Sequence, residues 1–119
     1  MTRPLAFEKN HRLSKGTEFG VVLKRGFSVR RPPIQLFILK KRVVPSRLGI
    51  WVSKREFRKA VDRNRVRRWV REFFRKRRAV LIFPCDLIIQ VARGNEFKDH
   101  GLFETVLEKI FQEVGLLKA

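Results

Sequence analysis

The 119-residue sequence predicts an α+β fold: a sandwich of helices on a four-stranded sheet, in the order helix, strand, strand, strand, helix, strand, helix. Three observations predict it. Apolar residues recur with a helical period in two stretches, at Val66, Trp69, Val70, Phe73 and Phe74, and at Phe103, Val106, Leu107, Ile110, Phe111 and Val114. Short apolar runs bounded by Pro, Gly or basic turns occupy 34–40, 47–53 and 86–92, which suits strands. Charge is also segregated, with 25 basic and 5 acidic side chains in residues 1–83 against 4 and 6 in residues 84–119.

The elements follow in order. Residues 1–13 are polar, contain Pro4 and lack periodicity, so a loose N-terminal arm is expected. Leu13 and Ser14 open a short helix, with Ser14 placed to cap its start and Gly26 its end. Phe19, Val22 and Leu23 form the apolar face of that helix. Phe27 to Arg31 is short and extended, and Pro32-Pro33 interrupts it. Ile34 to Lys40 is a strand with Ile34, Leu36 and Ile38 on one face and Gln35, Phe37 and Leu39 on the other. A basic turn through Pro45 leads to a strand at Arg47 to Ser53. There Leu48, Ile50 and Val52 oppose Gly49, Trp51 and Ser53. The basic helix comes next, and Pro84 ends the connection after it. Asp86 to Ala92 is the last strand. The closing helix is capped by Asp99 and stopped by Gly115, and its lack of basic residues marks it as scaffold.

The composition fits a single domain over 1–119 with one core, because 44% of the residues are apolar. The 29 basic against 11 acidic residues give +18 and point to a polyanionic partner, most simply nucleic acid. Cys85 is the only cysteine, which excludes an intramolecular disulfide and a cysteine-based zinc site, and beside Pro84 it reads as a buried inert thiol. No apolar run approaches the ~20 residues of a membrane span, and the N-terminus lacks a signal-peptide core. A soluble cytoplasmic protein is expected.

Residues 54–78 hold 13 of the basic side chains and only three acids, Glu56, Asp62 and Glu72. Projected on a helix, Asn64, Arg67, Arg68, Arg71 and Arg75 gather opposite the apolar stripe, with Ala60 one turn before them and Arg63 and Arg65 on the flanks. Arg suits phosphate because its planar fork binds two oxygens at once. Like charges at Arg63/Arg67, Arg67/Arg71 and Arg71/Arg75 repel along the helix, and a polyanion relieves that repulsion. Catalytic chemistry is poorly provided for. Only His11 and His100 exist, far apart and in expected loops, and no acid/base pair, metal-ligand spacing or phosphate-cradling Gly-rich loop is evident. Asp62 and Glu72 read as groups that orient neighbouring Arg side chains or interact with the helix dipole.

Lys59-Ala60-Val61-Asp62-Arg63-Asn64-Arg65-Val66-Arg67-Arg68, followed by Arg71-Glu72, resembles the Arg-Asn-Arg signature of the bacterial ribonuclease P protein subunit. The match extends to Arg12-Leu13-Ser14-Lys15, Phe19 and Lys24-Arg25-Gly26 of the first helix. The resemblance implies a fold like the second domain of ribosomal protein S5, with a left-handed crossover around the basic helix, a hand that about 2% of such units adopt. It implies a partner RNA that carries out magnesium-dependent removal of the 5′ leader of precursor tRNA, with no cofactor bound by the protein, which is expected as a monomer in a one-to-one complex. Lys59, Ala60, Arg63, Asn64, Arg65, Arg67, Arg68, Arg71 and Arg75 would then contact the RNA subunit. Phe19, Phe37, Ser53, Lys54 and Arg55 would line a cleft for the leader, between the basic helix and the sheet, although Phe19 equally suits a core role. The chain departs from the family's pattern in Arg55-Glu56-Phe57-Arg58-Lys59, where a shorter Gly-containing segment is usual, and at Leu23, where an aromatic is common.

Three rival readings remain. A small basic ribosomal or general RNA-binding protein matches size and charge but does not account for the Arg-Asn-Arg helix. A DNA-binding domain using residues 57–75 as its recognition helix requires a helical core and conflicts with the three strands. A protein nuclease acting alone lacks its acid and base.

Overall fold

The structure is a computed structural model and describes residues 11–13, 16–92 and 99–119. Helix α1 spans Gly16–Arg25, strand β1 Phe27–Arg31, β2 Ile34–Lys40 and β3 Arg47–Val52. Helix α2 follows at Ala60–Arg77, then β4 at Cys85–Val91 and α3 at His100–Glu113. The sheet order is β1-β2-β4-β3. β1 and β2 form an antiparallel hairpin across Pro32-Pro33, and β2 pairs antiparallel with β4. β3 runs parallel to its neighbour β4, and α2 connects them. This is the α+β arrangement the sequence predicts.

Strand alternation gives the sheet two different faces. Leu36, Ile89 and Ile50 align across β2, β4 and β3, flanked by the rows Ile34–Val91–Val52 and Ile38–Leu87–Leu48. These rows bury against Val66, Val70, Phe73 and Phe74 of α2 and Phe103, Leu107, Ile110 and Phe111 of α3. Each fully buried aromatic or aliphatic side chain contributes about 1.5–3 kcal/mol. The opposite face is covered only in part. Val22 and Leu13 pack on Ile88 there, with Phe19, Phe37 and Leu39 alongside. α2 and α3 thus share one face, and α1 takes the other.

Several boundaries differ from the sequence reading. The loose arm expected over 1–13 does not extend through residues 11–13: Arg12 bridges to Leu48, the Leu13 amide donates to the Leu48 carbonyl at 2.9 Å, and Leu13 is buried. β3 is an edge strand with unpaired backbone groups, and this segment satisfies some of them. The expectation for 1–10, and Ser14 as a cap, lie outside the described residues. Gly26 does follow α1, but not as a left-handed cap. A Cβ there would lie 2.7 Å from the carbonyl oxygens of Ile38 and Val22, so the close approach of α1's end to β2 is what requires glycine. Gly115 alone among the described glycines has positive φ, at 80°, where α3 ends. Asp99 caps α3 as expected, accepting from the Leu102 amide at 3.1 Å.

Residues 54–59 are not helical. They form a turn pinned by buried Phe57, whose amide donates to the Ser53 carbonyl at 3.0 Å, while the Ser53 hydroxyl accepts from the Glu56 amide. This is how the unusual segment Arg55–Lys59 is accommodated: an apolar side chain anchors the longer turn in the core.

Candidate nucleic-acid interface

The outer face of α2 carries the basic side chains, but they are not equivalent. Asn64 and Arg68 are exposed, and neither they nor the Arg67 side chain has a hydrogen-bond or ion-pair partner among the described residues. Arg71 reaches only its own helix, at the Arg67 carbonyl. Arg63 is engaged differently: its Nη1 donates to the Phe57 and Arg58 carbonyls at 2.8 and 3.0 Å and fastens the turn before the helix. Arg75 forks onto Glu72 at 2.7 and 3.2 Å, which raises the Arg75 pKa and lowers that of Glu72. Arg65 lies 3.4 Å from Asp62 and over the Trp69 ring at 5.5 Å. The acids Asp62 and Glu72 thus orient Arg side chains as the sequence suggested. Lys59 occupies the N-cap position with no side-chain cap bond, and Ala60 is exposed beside it. A cation at this end opposes the helix dipole, a cost that an anion on the same surface offsets.

The second feature is an aromatic groove on the sheet's open face. Phe37 of β2 and Trp51 of β3 stack with ring centroids 6.5 Å apart. Phe19 reaches down from α1 over Gly49, where a Cβ would meet its ring at 2.6 Å. Gly49 is therefore what lets the ring lie against the sheet, and Phe19 is partly buried rather than part of the closed core. Phe19, Leu23, Ile50, Trp51, Val52 and Arg67 together line one depression at the β3 edge. Ser53 and Arg55 line the adjoining one with Trp51 and Gln90. Lys54 is exposed in the turn that follows.

These positions refine the expected cleft. The body of α2 packs on the opposite face of the sheet, so the aromatic groove lies between α1 and the sheet, and α2 contributes Arg67 at its rim. Sequence reasoning placed Trp51 on the non-core face of its strand without assigning it to the site. Its signal was present, an aromatic residue on the face that the alternation leaves unburied.

The groove's far end is held by charge. Buried Asp86 accepts from Arg47 at 2.7 and 3.0 Å and from Lys41 at 3.1 Å, and Arg47 also pairs with Glu18 of α1. Burial opposes the charge on Asp86, but the Arg47 and Lys41 hydrogen bonds outweigh it and hold the carboxyl below its usual range. This network fixes α1 over the sheet. Neighbouring Cys85 is fully buried, and burial together with Asp86 pushes its thiol up to about 12, so it is inert as expected.

Catalytic groups do not converge here. His11 is buried, with Nε2 2.8 Å from Arg78 Nη1. His100 is the first residue of α3 and packs on Trp69 at 5.2 Å. Neither lies in the groove lining. Among the described residues no three His, Cys, Asp or Glu side chains gather as a metal site. No described helix is long and apolar enough to cross a membrane.

Comparison with known proteins adds three findings. The family model described as Ribonuclease P matches residues 7–115. The ribonuclease P protein component of Thermotoga maritima is 36% identical over 115 residues, covering 95% of this chain and 94% of that one. That of Haemophilus influenzae (strain PittGG) is 33% identical over 109 residues, covering 91% and 90%. Among solved structures, the RNase P protein of Staphylococcus aureus superposes with a TM-score of 0.79 at 25% identity, over 91% of this chain and 98% of that one. The RNase P protein of Thermotoga maritima superposes with a TM-score of 0.73 at 27% identity, over 86% and 96%.

Proposed function

The chain belongs to the ribonuclease P protein family, and on that premise we propose that it binds the catalytic RNA subunit through α2 and the 5′ leader of precursor tRNA through the aromatic groove. The hydrolysis, with its magnesium, is the RNA's. The protein supplies position and charge. Asn64, Arg67, Arg68 and Arg71 present donors to RNA phosphates, while Arg63 and Arg75 set the helix surface they stand on. Phe19, Phe37 and Trp51 offer flat apolar faces to unpaired bases, and stacking on an aromatic contributes about 1–3 kcal/mol per base with little sequence demand. The observation that carries this reading is the adjacency of the two surfaces at Arg67, which lies on the basic helix and also lines the groove. A strand leaving a helix-bound RNA reaches the aromatic rings without leaving positive potential.

The decisive experiment is precursor tRNA cleavage at low magnesium with a bacterial ribonuclease P RNA, with and without the protein, and with the protein alone. Cleavage at the mature 5′ end that needs both supports the proposal. Cleavage by the protein alone refutes the division of labour, and salt-sensitive RNA binding without stimulation favours a general RNA-binding role. Phe37→Ala is expected to weaken precursor tRNA binding by about 1–3 kcal/mol and to leave RNA-subunit affinity unchanged. Equal losses in both would merge the two surfaces into one.

A further inference from the structure

Helix α1 is pinned to the sheet at both ends, by different means. Just past its C-terminal end, Gly26 brings the backbone against β2, where a Cβ would lie 2.7 Å from the Ile38 carbonyl oxygen. In its first turn, Glu18 accepts from Nη1 of Arg47 on β3. Arg47 is itself held. Its Nη2 and Nε donate to the two carboxylate oxygens of buried Asp86, its register partner on β4, at 2.7 and 3.0 Å. Lys41 ties the β2–β3 connection to the same carboxylate at 3.1 Å and donates to the Pro45 carbonyl at 2.9 Å. Arg47, Gly49 and Trp51 stand at every second position of β3 and share the open face. Glu18, which Arg47 grips, is the chain neighbour of Phe19, whose ring rests on Gly49.

We propose that Arg47, locked in place by Asp86, is a positioning residue for the leader groove: it holds down the first turn of α1, so that Phe19 meets an unpaired base at a fixed height above the sheet. The inference rests on the leader-binding reading above and adds the device that preorganises it. A helix fixed only near Gly26 tilts about that end, and its first turn then moves farthest. Phe19 would lift from Gly49, and the groove would have to be ordered anew when the leader binds, a cost that falls on affinity. A guanidinium suits this position because its planar fork serves two acids at once, Asp86 along one edge and Glu18 from Nη1. An ammonium in its place is a point charge on a flexible stem and does not bridge both in one fixed geometry. Charge and position make opposite predictions here. Removing the Glu18 charge favours an approaching polyanion on electrostatic grounds alone, but it also releases the helix.

The test uses the reconstituted holoenzyme and two precursor tRNAs that differ only in leader length, one with a long leader and one with a single leader nucleotide. The ratio of their affinities reads the groove, and RNA-subunit affinity checks folding. Glu18→Gln and Arg47→Lys should each weaken long-leader binding about three- to tenfold, a part of what stacking contributes. Binding of the short-leader substrate and of the RNA subunit should be unchanged. Glu18 is partly exposed, so Glu18→Gln decides the matter if Arg47→Lys fails to fold. Tighter long-leader binding by Glu18→Gln would overturn the proposal in favour of charge alone. Equal losses for both substrates and the RNA subunit would overturn it too, because the network would then serve stability only. A long-leader advantage that both variants keep in full removes the positioning role and leaves the leader-binding reading standing. No such advantage in the wild-type holoenzyme would instead remove both.

Discussion

Helices α2 and α3 lie on the same face of the sheet and bury the same kind of stripe, yet they present opposite surfaces. Phe73 and Phe111 meet edge to face at 4.9 Å between them, and Trp69 tilts onto Phe103 at 5.7 Å. Over its whole length α2 holds eight basic and two acidic residues, whereas α3 holds one basic and three acidic. Packing therefore fixes where each helix sits and leaves the outer face open to selection for a partner. The two are joined by charge as well: Arg77 donates to Glu104 at 2.7 Å, lies 3.6 Å from Glu108 and stacks over the Phe73 ring at 4.0 Å. Not every arginine of α2 belongs to the outer basic face, and Arg77 is the one that α3 claims.

The comparison is best broken at its shared core. Phe73→Ala and Phe111→Ala should each cost about 3–5 kcal/mol in chemical denaturation, because each opens a cavity under the sheet. The pair should be non-additive, since the rings touch. Full additivity would show that the helices pack independently. A smaller effect separates the two kinds of arginine. Arg77→Ala should lower stability by about 1–2 kcal/mol with RNA affinity retained. Arg68→Ala should leave stability intact, weaken RNA-subunit binding about tenfold and reduce the salt slope by about one. Identical behaviour of the two variants would erase the distinction.

The smallest effect is on pH. The hydrogen bond from Arg77 holds the Glu104 carboxyl below its ordinary value, against a lesser opposing effect of burial. The folded state thus binds this proton less readily than the unfolded chain does. Its stabilisation is complete above the ordinary glutamate range and is lost as pH falls through the lowered folded value. Glu104→Gln should therefore flatten the acid limb of the stability profile below about pH 4, by about 0.5–1 kcal/mol for so partial a burial. Thermal midpoints at pH 3 and pH 7 for the two proteins measure it, and an unchanged difference would show that the pair adds nothing.

Much of this molecule was legible from local pattern. The period of the apolar residues placed α2 and α3, and alternation put Ile34, Leu36 and Ile38 in the core and Phe37 opposite them. Asp99, Gly115 and buried Cys85 behaved as their local chemistry indicates. The basic face was readable too, because helical geometry sorts residues without knowledge of what surrounds the helix. The division within that face was not. Arg63 turns back to the Phe57 carbonyl and Arg77 crosses to α3, and nothing in the spacing of arginines reveals which will find a partner.

The sequence by itself therefore determined the elements, the sides of each that seek the core, and the presence of a helix with a strongly basic outer face. Those follow from backbone periodicity and charge, which act over a few residues. The tertiary structure decided the rest. It brought Phe19 of α1 onto Gly49 of β3, stacked Trp51 on Phe37, aligned Gln35 with Gln90 and set Arg67 at the rim of the groove. Each of these depends on strand order and register, which arise when distant segments compete to bury their apolar faces together, and no short window of sequence records the outcome of that competition.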